Sequence, residues 1–427
     1  MHELAMKLNE TLKNCCAYEM LSDYGKRMYV PKGIIVQSSE AKQKATKYNA
    51  TIGVALEKGT AMFIPSIKAQ FASEMKAGEI FPYAPMGGNA DLRKIWKSEM
   101  YAKNPSLNGK ATSVPVVVSG LTNALSITCS LFLDEGDDIV LPDMYWENYD
   151  LILDEQRRAH KVMFPLFDGN GFNIKGLEKA LASTGKKAVV LLNFPNNPTG
   201  YTPTNEESDK IAALLKQCAE NGKKLVVITD DAYFGLFFDD EPCKESLFAK
   251  IADCSENLLA VKCDAATKEE MVWGFRIAFI TYGAKGFNDE MYDALMQKTM
   301  GAIRGSLSSC STPSQSILLK GMAAPSYHED KIAGIKKIGE RYFALKKALL
   351  KYQDKDYLKA LPFNSGYFMS FECKCDAEAL RQNLLNNYGT GVIRLDEHHI
   401  RLAFSSVDAE NIEGLIDTVY KATEDLL

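Results

Sequence analysis

The feature that most restricts the fold is an alternation of short apolar runs with segments of helical periodicity, beginning at Val114. The apolar runs are VPVVVS, DIVLP, KVMF, AVVLLNF, KLVVITD, NLLAVKCD and FRIAFITYG. Most are followed by a stretch such as NEESDKIAALLKQCAE, with apolar residues at helical spacing. Buried strands that alternate with helices form a mainly parallel sheet covered on both faces. We therefore predict a large α/β domain over residues 51–308, with its sheet between about Gly53 and Arg304.

The pattern changes on both sides of this unit. Helical periodicity runs from Ser314 to Lys351, and the apolar runs YFMSFE, GVIRL and HIRLAFS then precede a final helix from Asp408 to Leu426. This order predicts a small α+β domain over residues 309–427. The first 50 residues show helical turns and loop, which we interpret as an N-terminal arm and part of the small domain.

Composition limits the partners of the chain. The 427 residues are 46% hydrophobic and 25% charged with a net charge of −5, which is typical of a globular protein and excludes a disordered or fibrous one. The acidic balance shows no clustered Lys and Arg of the kind that neutralises phosphate backbones. Small molecules are therefore expected as ligands, and nucleic acid is not.

One uncharged stretch, Ala111 to Leu133, is long enough to cross a bilayer. Its many Ser and Thr residues, with Pro115 and Gly120, favour a buried strand followed by a buried helix, so no membrane partner is expected. Charged residues near the N-terminus, such as Lys7, interrupt the apolar region that a secretion signal needs. We predict a cytoplasmic location.

Cysteine and histidine give no metal motif. The ten cysteines include the neighbours Cys15 and Cys16 and the pair Cys373 and Cys375, without a CxxC pair, and none of the five histidines belongs to an HExxH motif. Scattered cysteines in a long cytosolic chain are mostly reduced thiols. No metal is expected, and no serine-hydrolase triad is evident.

Polar residues concentrate where the predicted strands end. The loop FPNNPTG, Phe194 to Gly200, follows AVVLLN, and the acids and phenol of ITDDAYF end the next strand. Taken alone, the first is a strand-ending turn and the second a helix cap. In an open α/β sheet, however, ligands bind where loops leave the carboxyl ends of strands. These loops are therefore predicted to form the functional site.

A lysine and a glycine turn complete this set. Lys268 follows the strand NLLAVKCD, with Arg276 eight residues later. A lysine on a loop is normally solvated, but a partly desolvated one with a lowered pKa forms Schiff bases. In VSGLTNAL, Gly120 lets backbone N–H groups face an anion at a helix N-terminus, although no dinucleotide or P-loop fingerprint is present.

The order of these motifs resembles the aspartate aminotransferase family, class I/II, of fold-type I pyridoxal-phosphate enzymes. It runs from Gly-Leu-Thr through Trp146, Asn-Pro-Thr-Gly and Asp-x-Ala-Tyr to Thr-Lys with its following arginine. The resemblance begins at NATIGVALEKGTAMFIPSIK, continues through YAPMGGNADLR and ends at HIRLAFS, so it covers nearly the whole chain. It implies the fold-type I architecture and pyridoxal 5′-phosphate as the cofactor.

The resemblance also implies a role for each matching residue. Lys268 would carry the cofactor and move protons, Asp230 would pair with the pyridine nitrogen, and Tyr233 would assist at the 3-oxygen. The remaining cofactor contacts would come from Gly120, Leu121, Thr122, Trp146, Asn197, Thr267 and Arg276, and from Tyr83 of a neighbouring subunit in a homodimer with shared sites.

For the substrate, the resemblance implies that Arg401 clamps the α-carboxylate, close to Gly53 and Asn197. Arginine suits this task because its planar fork donates two parallel hydrogen bonds. Arg304, with Ser308 after it, resembles the position from which dicarboxylate-using members reach a distal carboxylate across the subunit interface. The alternative for Arg304 is a dipole partner at a helix C-terminus.

Two positions depart from the family pattern. Ala265 stands where the family usually has Ser or Gly, three residues before the lysine, and Met271 replaces a typically small residue. Thr267 is expected to compensate for the lost hydroxyl at the phosphate. The functional hypothesis is an aminotransferase acting on an L-amino acid, with aspartate or glutamate as one substrate, and a 2-oxo acid. Its alternatives are a C–S or β-lyase, a decarboxylase, or a non-catalytic binding protein on the same fold.

Overall fold

The computed structural model describes residues 1–14, 16–30 and 33–427. Cys15 lies outside the described residues, as does the side chain of Cys16. The strands are β1 Tyr48–Asn49, β2 Leu56–Glu57, β3 Thr60–Ala61, β4 Val116–Val118, β5 Asp138–Pro142, β6 His160–Phe164, β7 Phe167–Asp168, β8 Gly171–Phe172, β9 Lys187–Asn193, β10 Lys224–Asp231, β11 Leu258–Ala265, β12 Ala278–Ala284, β13 Leu358–Ala360, β14 Phe368–Cys373, β15 Thr390–Gly391, β16 Ile393–Arg394 and β17 His399–Ala403.

The α-helices surround two main sheets. They are α1 Glu3–Leu12, α2 Cys16–Met20, α3 Asp23–Arg27, α4 Ile34–Lys44, α5 Pro65–Lys68, α6 Ala77–Ile80, α7 Ala90–Lys103, α8 Leu121–Phe132, α9 Ile174–Ser183, α10 Asn205–Glu220, α11 Leu247–Ile251, α12 Ala266–Glu269, α13 Asp289–Ser306, α14 Thr312–Met322, α15 Tyr327–Leu349, α16 Ala377–Tyr388 and α17 Ile412–Glu424. A π-helix, Leu151–Arg157, lies between β5 and β6. Local signals set several ends; α10, for example, begins with a capping box of Thr204 and Glu207.

The larger sheet has seven strands in the order β4-β12-β11-β10-β9-β5-β6. Only β12 runs antiparallel to its neighbours, so the predicted mainly parallel sheet is confirmed. Along β9, Val189 and Leu191 face one buried apolar cluster, whereas Val190 and Leu192 face the other. A strand buried on both faces is a continuous apolar run, as the sequence pattern required.

The predicted limits of this sheet were too wide. Its strands lie between Val116 and Ala284, and residues 53–115 supply helices and the short β2–β3 hairpin instead. The uncharged stretch Ala111–Leu133 forms β4 and α8, both packed in the core. Within the described residues, no helix combines the length and apolar composition needed to cross a bilayer.

A second, antiparallel sheet has the order β13-β14-β17-β16; α16 packs on β16 and β17, and α17 packs against α16 and α15. The N-terminal segment joins this unit, because β1 pairs in parallel with β15 and Gln37 of α4 exchanges two hydrogen bonds with the backbone of Arg394. We propose on these contacts that residues 1–50 belong partly to the small domain. The domain boundary at residue 308 stays a prediction. Helix α14 follows that residue, yet Ser316 of α14 hydrogen-bonds the backbone of Glu79, which belongs to the predicted large domain.

Candidate active site

Three functional side chains lie at one edge of the larger sheet. Asn193 ends β9 and pairs in register with Asp230 at the end of β10, while β11 leads directly into α12, which carries Lys268. Parallel strands bring their carboxyl ends to the same edge, which explains why residues far apart in sequence meet here. Asn193 Nδ2 donates to the backbone carbonyl of Asp230 at 2.7 Å, and its Oδ1 accepts from Asn197 N–H at 2.7 Å.

Asp230 is buried, and both its oxygens have donors. The Tyr149 hydroxyl donates to Oδ2, and the Ala232 N–H donates to Oδ1 at 3.0 Å. Burial raises the pKa of Asp230 to about 6, because the hydrogen bonds and Lys268 offset the desolvation only in part. At neutral pH the carboxylate is therefore mostly ionised, and it can pair with a cationic ring nitrogen.

Lys268 lies half-buried in the cavity at this edge, with Nζ 4.6 Å from the ring centroid of Tyr233. Burial lowers its pKa to about 8; Asp230 opposes this shift, and Arg276 adds to it. The Tyr367 hydroxyl donates a hydrogen bond to the Lys268 backbone carbonyl at 3.3 Å and so helps to fix the backbone at Lys268. Lys268 is therefore an amine of the reactive type predicted from the sequence.

An anion site lies beside Lys268, at the N-terminus of α8. Gly120 caps this helix with φ +81°, and a Cβ there would lie 2.2 Å from Nη2 of Arg276, so only glycine lets the guanidinium approach. Leu121 and Thr122 open the helix and line the same cavity. The first N–H groups of a helix and an arginine together favour a bound phosphate.

The structure shows the surroundings of the two positions that depart from the family pattern. Ala265 is buried at the end of β11, while the hydroxyl of Thr267 lies at the cavity, buried and without a hydrogen-bond partner among the described residues. Met271 adopts φ +53° and packs beside Gly334, where a Cβ would be 2.7 Å from Cε of Met271. The larger side chain therefore fills space away from the cavity.

Arg401 lies on β17 of the smaller sheet and is 2% exposed. Nη1 donates to Asn197 Oδ1 and Nη2 to the Thr51 carbonyl, both at 3.0 Å, while its guanidinium stacks 4.2 Å from the ring centroid of Phe368. Burial lowers the pKa of Arg401 to about 10, so it stays charged at neutral pH. Its Nε is buried without a partner among the described residues, and Arg401 lines the cavity.

These groups enclose a cavity of about 520 Å³. Its lining brings together most of the predicted site, namely Gly53, Leu121, Thr122, Trp146, Asn197, Asp230, Tyr233, Thr267, Lys268, Arg276 and Arg401. Gly53 lies close to the rings, since a Cβ there would be 3.3 Å from Phe368. The cavity thus receives residues from both sheets and lies between them.

Tyr83 and Arg304 do not reach this cavity. Tyr83 is 91% exposed and lines a separate depression of about 280 Å³ with Thr312 and neighbouring residues. Arg304 is exposed in the last turn of α13, where Nη1 donates to Ser308 Oγ at 2.6 Å. Within one chain, neither residue contributes to the site.

Several residues that support or line the cavity were not predicted. Tyr149 and Asn193 hold Asp230 and Asn197, and Trp273 and Phe368 add aromatic walls. Asn193 carried a signal, since it is a polar residue ending an apolar strand. Ile34 of α4 also lines the cavity, and nothing in the helical pattern of the first 50 residues indicated that.

The fold and this site define a pyridoxal-phosphate transferase architecture, and comparison with known proteins agrees. The model of the family described as aminotransferase class I and II matches residues 49–419. The chain therefore belongs to the class I and II aminotransferase family, which is pyridoxal-phosphate dependent.

Individual relatives are more distant. The chain is 29% identical over 203 residues to a probable aspartate/prephenate aminotransferase of Aquifex aeolicus, covering 46% of this chain and 48% of that protein. It is 29% identical over 224 residues to an aspartate aminotransferase of Geobacillus stearothermophilus, covering 51% and 52%. The chain thus spans about half the length of the curated relatives it matches. A solved aminotransferase of Anaerococcus prevotii superposes with a TM-score of 0.85 over 94% of this chain and 99% of that one at 24% identity, which confirms the fold.

Proposed function

We propose that the protein is a pyridoxal-phosphate-dependent aminotransferase that exchanges the amino group of an L-amino acid with a 2-oxo acid. The observation that carries this proposal is the convergence of Lys268, Asp230 and Arg401 on one cavity between the two sheets. These three side chains supply an amine, an anion for a ring nitrogen and a carboxylate clamp. A non-catalytic binding protein would need none of this combination.

The chemistry of the cavity fits the cofactor. The unpartnered Thr267 hydroxyl, the exposed Arg276 and the cradle at Gly120 suit a phosphate, together with the N–H groups of Leu121 and Thr122. Asp230 would pair with the pyridine nitrogen. Asn197 and Tyr233 would hydrogen-bond the 3-oxygen, and Trp146 would cover the ring face. Pyridoxal phosphate, when bound, supplies an electron sink for the bond broken at the substrate Cα.

The protein's own residues would then move the proton. Because its pKa is lowered to about 8, the amine of Lys268 has an accessible neutral form, which would accept the proton from the substrate Cα and then deliver it to the C4′ carbon of the cofactor. Ionised Asp230 would keep the ring nitrogen protonated, and the hydrogen bond from the Tyr149 hydroxyl holds this buried carboxylate in place. Arg401 would orient the α-carboxylate through its charged fork.

Other reactions of the same cofactor are the main alternative, because Asp230 and Lys268 would serve β-elimination, C–S cleavage or decarboxylation equally well. Product analysis separates them. The protein, incubated with pyridoxal phosphate and a panel of amino acids, should form pyridoxamine phosphate and the matching 2-oxo acid. Release of ammonia with pyruvate, or of carbon dioxide, from the preferred substrate would replace the aminotransferase proposal with a lyase or a decarboxylase.

The attachment site provides a second test. Borohydride reduction of the protein with pyridoxal phosphate, followed by peptide mapping, should place the label on Lys268. Of the lysines that the structure describes, Lys268 is the one that lines the cavity, whereas surface lysines such as Lys337 are solvated and paired. A label confined to any other lysine would contradict the assignment.

We also propose a homodimer with shared sites. Large apolar side chains are exposed in the chain segments that carry Tyr83 and Arg304; they are Phe81, Met86 and Leu307, and Phe71 is exposed as well. A second copy that covers them would bring Tyr83 to the phosphate of the other subunit. A Tyr83→Phe variant should then bind the cofactor more weakly. Sedimentation showing a fully active monomer at assay concentration would contradict both the dimer and this role.

Aspartate or glutamate is the proposed amino donor. The support is Arg304, which is exposed at the end of α13 with Nη1 2.6 Å from Ser308 Oγ, so that a second copy could accept it into its site. The relative of Geobacillus stearothermophilus, described as an aspartate aminotransferase, is similar over half of this chain. Neither nucleic acid nor membrane is a proposed partner, and the cytoplasmic location stays a prediction.

A further inference from the structure

A group of four charged side chains, three of them buried and one half-buried, lies behind the turn that carries Lys268. Helix α12, Ala266–Glu269, has only four residues, and its side chains point either into the cavity or away from it. Thr267 and Lys268 line the cavity, whereas Glu269 and the following Glu270 are buried away from it, with 3% and 0% of their surface exposed. So short a helix has little stability of its own, so its position depends on what holds it.

Two lysines from distant helices meet these glutamates. Lys103, the last residue of α7, places Nζ 2.6 Å from Oε1 of Glu269. Lys331, in α15, places Nζ 2.8 Å from the same oxygen and 2.6 Å from Oε1 of Glu270. We name these four residues the rear ion cluster. It joins the Lys268 turn to α7 and to α15, which packs against α17.

The rear ion cluster is balanced in charge, with two carboxylates and two ammonium groups. Lys103 and Lys331 lower the pKa of Glu269 to about 2 against the effect of burial, and the two glutamates raise the pKa of Lys331 above its ordinary value. The surroundings are fitted to it. Gly235 leaves room for Glu269, because a Cβ there would be 3.0 Å from Oε1, and the Tyr327 hydroxyl lies 3.4 Å from Lys331 Nζ.

We propose that Glu269 and Glu270 are positioning residues for Lys268, and that Lys331 and Lys103 keep the side of the turn facing away from the cavity both anchored and electrically neutral. This inference rests on the proposed function of Lys268. Removing one partner of a buried pair leaves an uncompensated charge, which here would lie one or two residues from the reactive amine. The cluster is thus a device that fixes both the place and the charge environment of that amine.

The sign of the effect gives a test. Lys331→Met leaves an excess negative charge behind Lys268, which favours the protonated form of the Lys268 nitrogen. The apparent pKa read from the cofactor's visible absorbance should therefore rise by roughly half a unit, a smaller shift than a charge in direct contact would cause. Glu269→Gln leaves an excess positive charge and should lower it by a similar amount. The groups that face Lys268 itself, Asp230, Arg276 and the Tyr233 ring, remain in both variants.

Three further proteins complete the experiment. Lys331→Arg should restore the wild-type pKa, and so should the charge-balanced pair Glu270→Gln with Lys331→Met, which also guards against misfolding of the single variant. Lys337→Met is the matched control, because Lys337 lies on the same helix but pairs with Glu57 at the surface. It should change nothing. Lys331→Met should also lower kcat about tenfold while KM stays within roughly threefold, as expected for a misplaced group.

The measurements are a pH titration of the visible absorbance, thermal unfolding of the cofactor-free protein, and steady-state kinetics. Shifts of opposite sign in Lys331→Met and Glu269→Gln support the inference, because simple loosening of the fold has no reason to depend on the sign of the charge removed. Shifts of the same sign, no shift, or no recovery in the balanced pair overturn it. A wild-type protein without cofactor absorbance on Lys268 would instead refute the proposed function.

Discussion

Two lysines on one segment of chain, Lys262 within β11 and Lys268 just after it, have opposite electrostatic surroundings. Lys262 is 1% exposed, and its Nζ contacts Asp231 and lies 3.2 Å from Asp264. Those carboxylates raise the pKa of Lys262 above its ordinary value despite burial. Lys268 has no carboxylate within salt-bridge distance among the described residues, and burial lowers its pKa to about 8.

The difference teaches that burial by itself does not make a reactive lysine. Desolvation penalises both cations, but paired carboxylates in contact with Lys262 overcome the penalty, whereas the charge of Asp230 only reduces it for Lys268. One lysine is therefore a structural cation, and the other is an amine available for chemistry. The same reasoning makes Lys331 structural, since its two glutamates hold it.

The largest expected effect is on Lys268. Lys268→Ala should lower kcat by roughly a thousandfold or more, because the group that moves the proton is lost. Cofactor should still bind without a covalent link, through Asp230, Arg276 and the Gly120 turn. The melting temperature should not fall, since no ion pair is broken. Single-turnover kinetics and thermal unfolding would check both points, and a strong loss of stability would make Lys268 a structural residue like Lys262.

Lys262→Met should show the reverse. It leaves Asp231 and Asp264 without their cation, and the expected loss of stability is about 3 to 5 kcal/mol. The folded fraction should keep its cofactor link and turnover. Denaturant unfolding measures the loss, and adding Asp231→Asn should recover part of it. A stable Lys262→Met protein that has lost the cofactor link would reverse the assignments of the two lysines.

The third effect concerns Arg401, a cation that lacks a carboxylate partner within the described residues, as Lys268 does. Arg401→Ala should lower kcat/KM about ten- to a hundredfold for every amino donor alike, because all share the α-carboxylate. The comparison uses acidic, aromatic and small donors in the same assay. A loss restricted to one class of donor would show that Arg401 reads the side chain instead.

Much of this arrangement could be predicted from sequence because it depends on local pattern. The run DIVLP forms β5 with the predicted bounds, and the strand ends place Asn197, Asp230 and Lys268 together, as parallel topology requires. Short-range periodicity and turn residues were sufficient for that. The difference between the two lysines was only partly predictable, since the sequence placed Lys268 at a loop but gave no sign of the partners of Lys262.

What could not be predicted depends on contacts across long separations or between copies. Tyr149 reaches Asp230, and Lys331 reaches Glu269, without any periodic signal linking them in the chain. The β2–β3 region was included in the predicted limits of the large sheet, whereas its two strands pair only with each other. Tyr83 and Arg304 lie at the surface of one chain, so their roles depend on a second copy.

A smaller and more selective effect is expected at Arg304. Arg304→Ala should lower kcat/KM roughly tenfold for aspartate and glutamate, which would lose a charge-assisted contact, and leave alanine and aromatic donors unchanged or improved. The ratio between acidic and neutral donors is the quantity to measure, in wild type and variant side by side. An unchanged ratio would leave Arg304 as a cation at the end of α13.

The smallest effect is a difference in the pH at which lysines become labelled, and it tests the comparison of the lysines directly. Only a neutral amine attacks the aldehyde of added pyridoxal phosphate, so labelling of cofactor-free protein at Lys268 should rise with pH to a midpoint near 8. Surface lysines with an ordinary pKa should rise only near 10.4. Brief exposure, borohydride trapping and peptide mapping at each pH give both curves from one sample, so the exposed lysines serve as the internal control. Coinciding curves would mean that Lys268 is as solvated as the surface lysines. Lys262 should stay unlabelled throughout, because its carboxylate partners keep it protonated and buried.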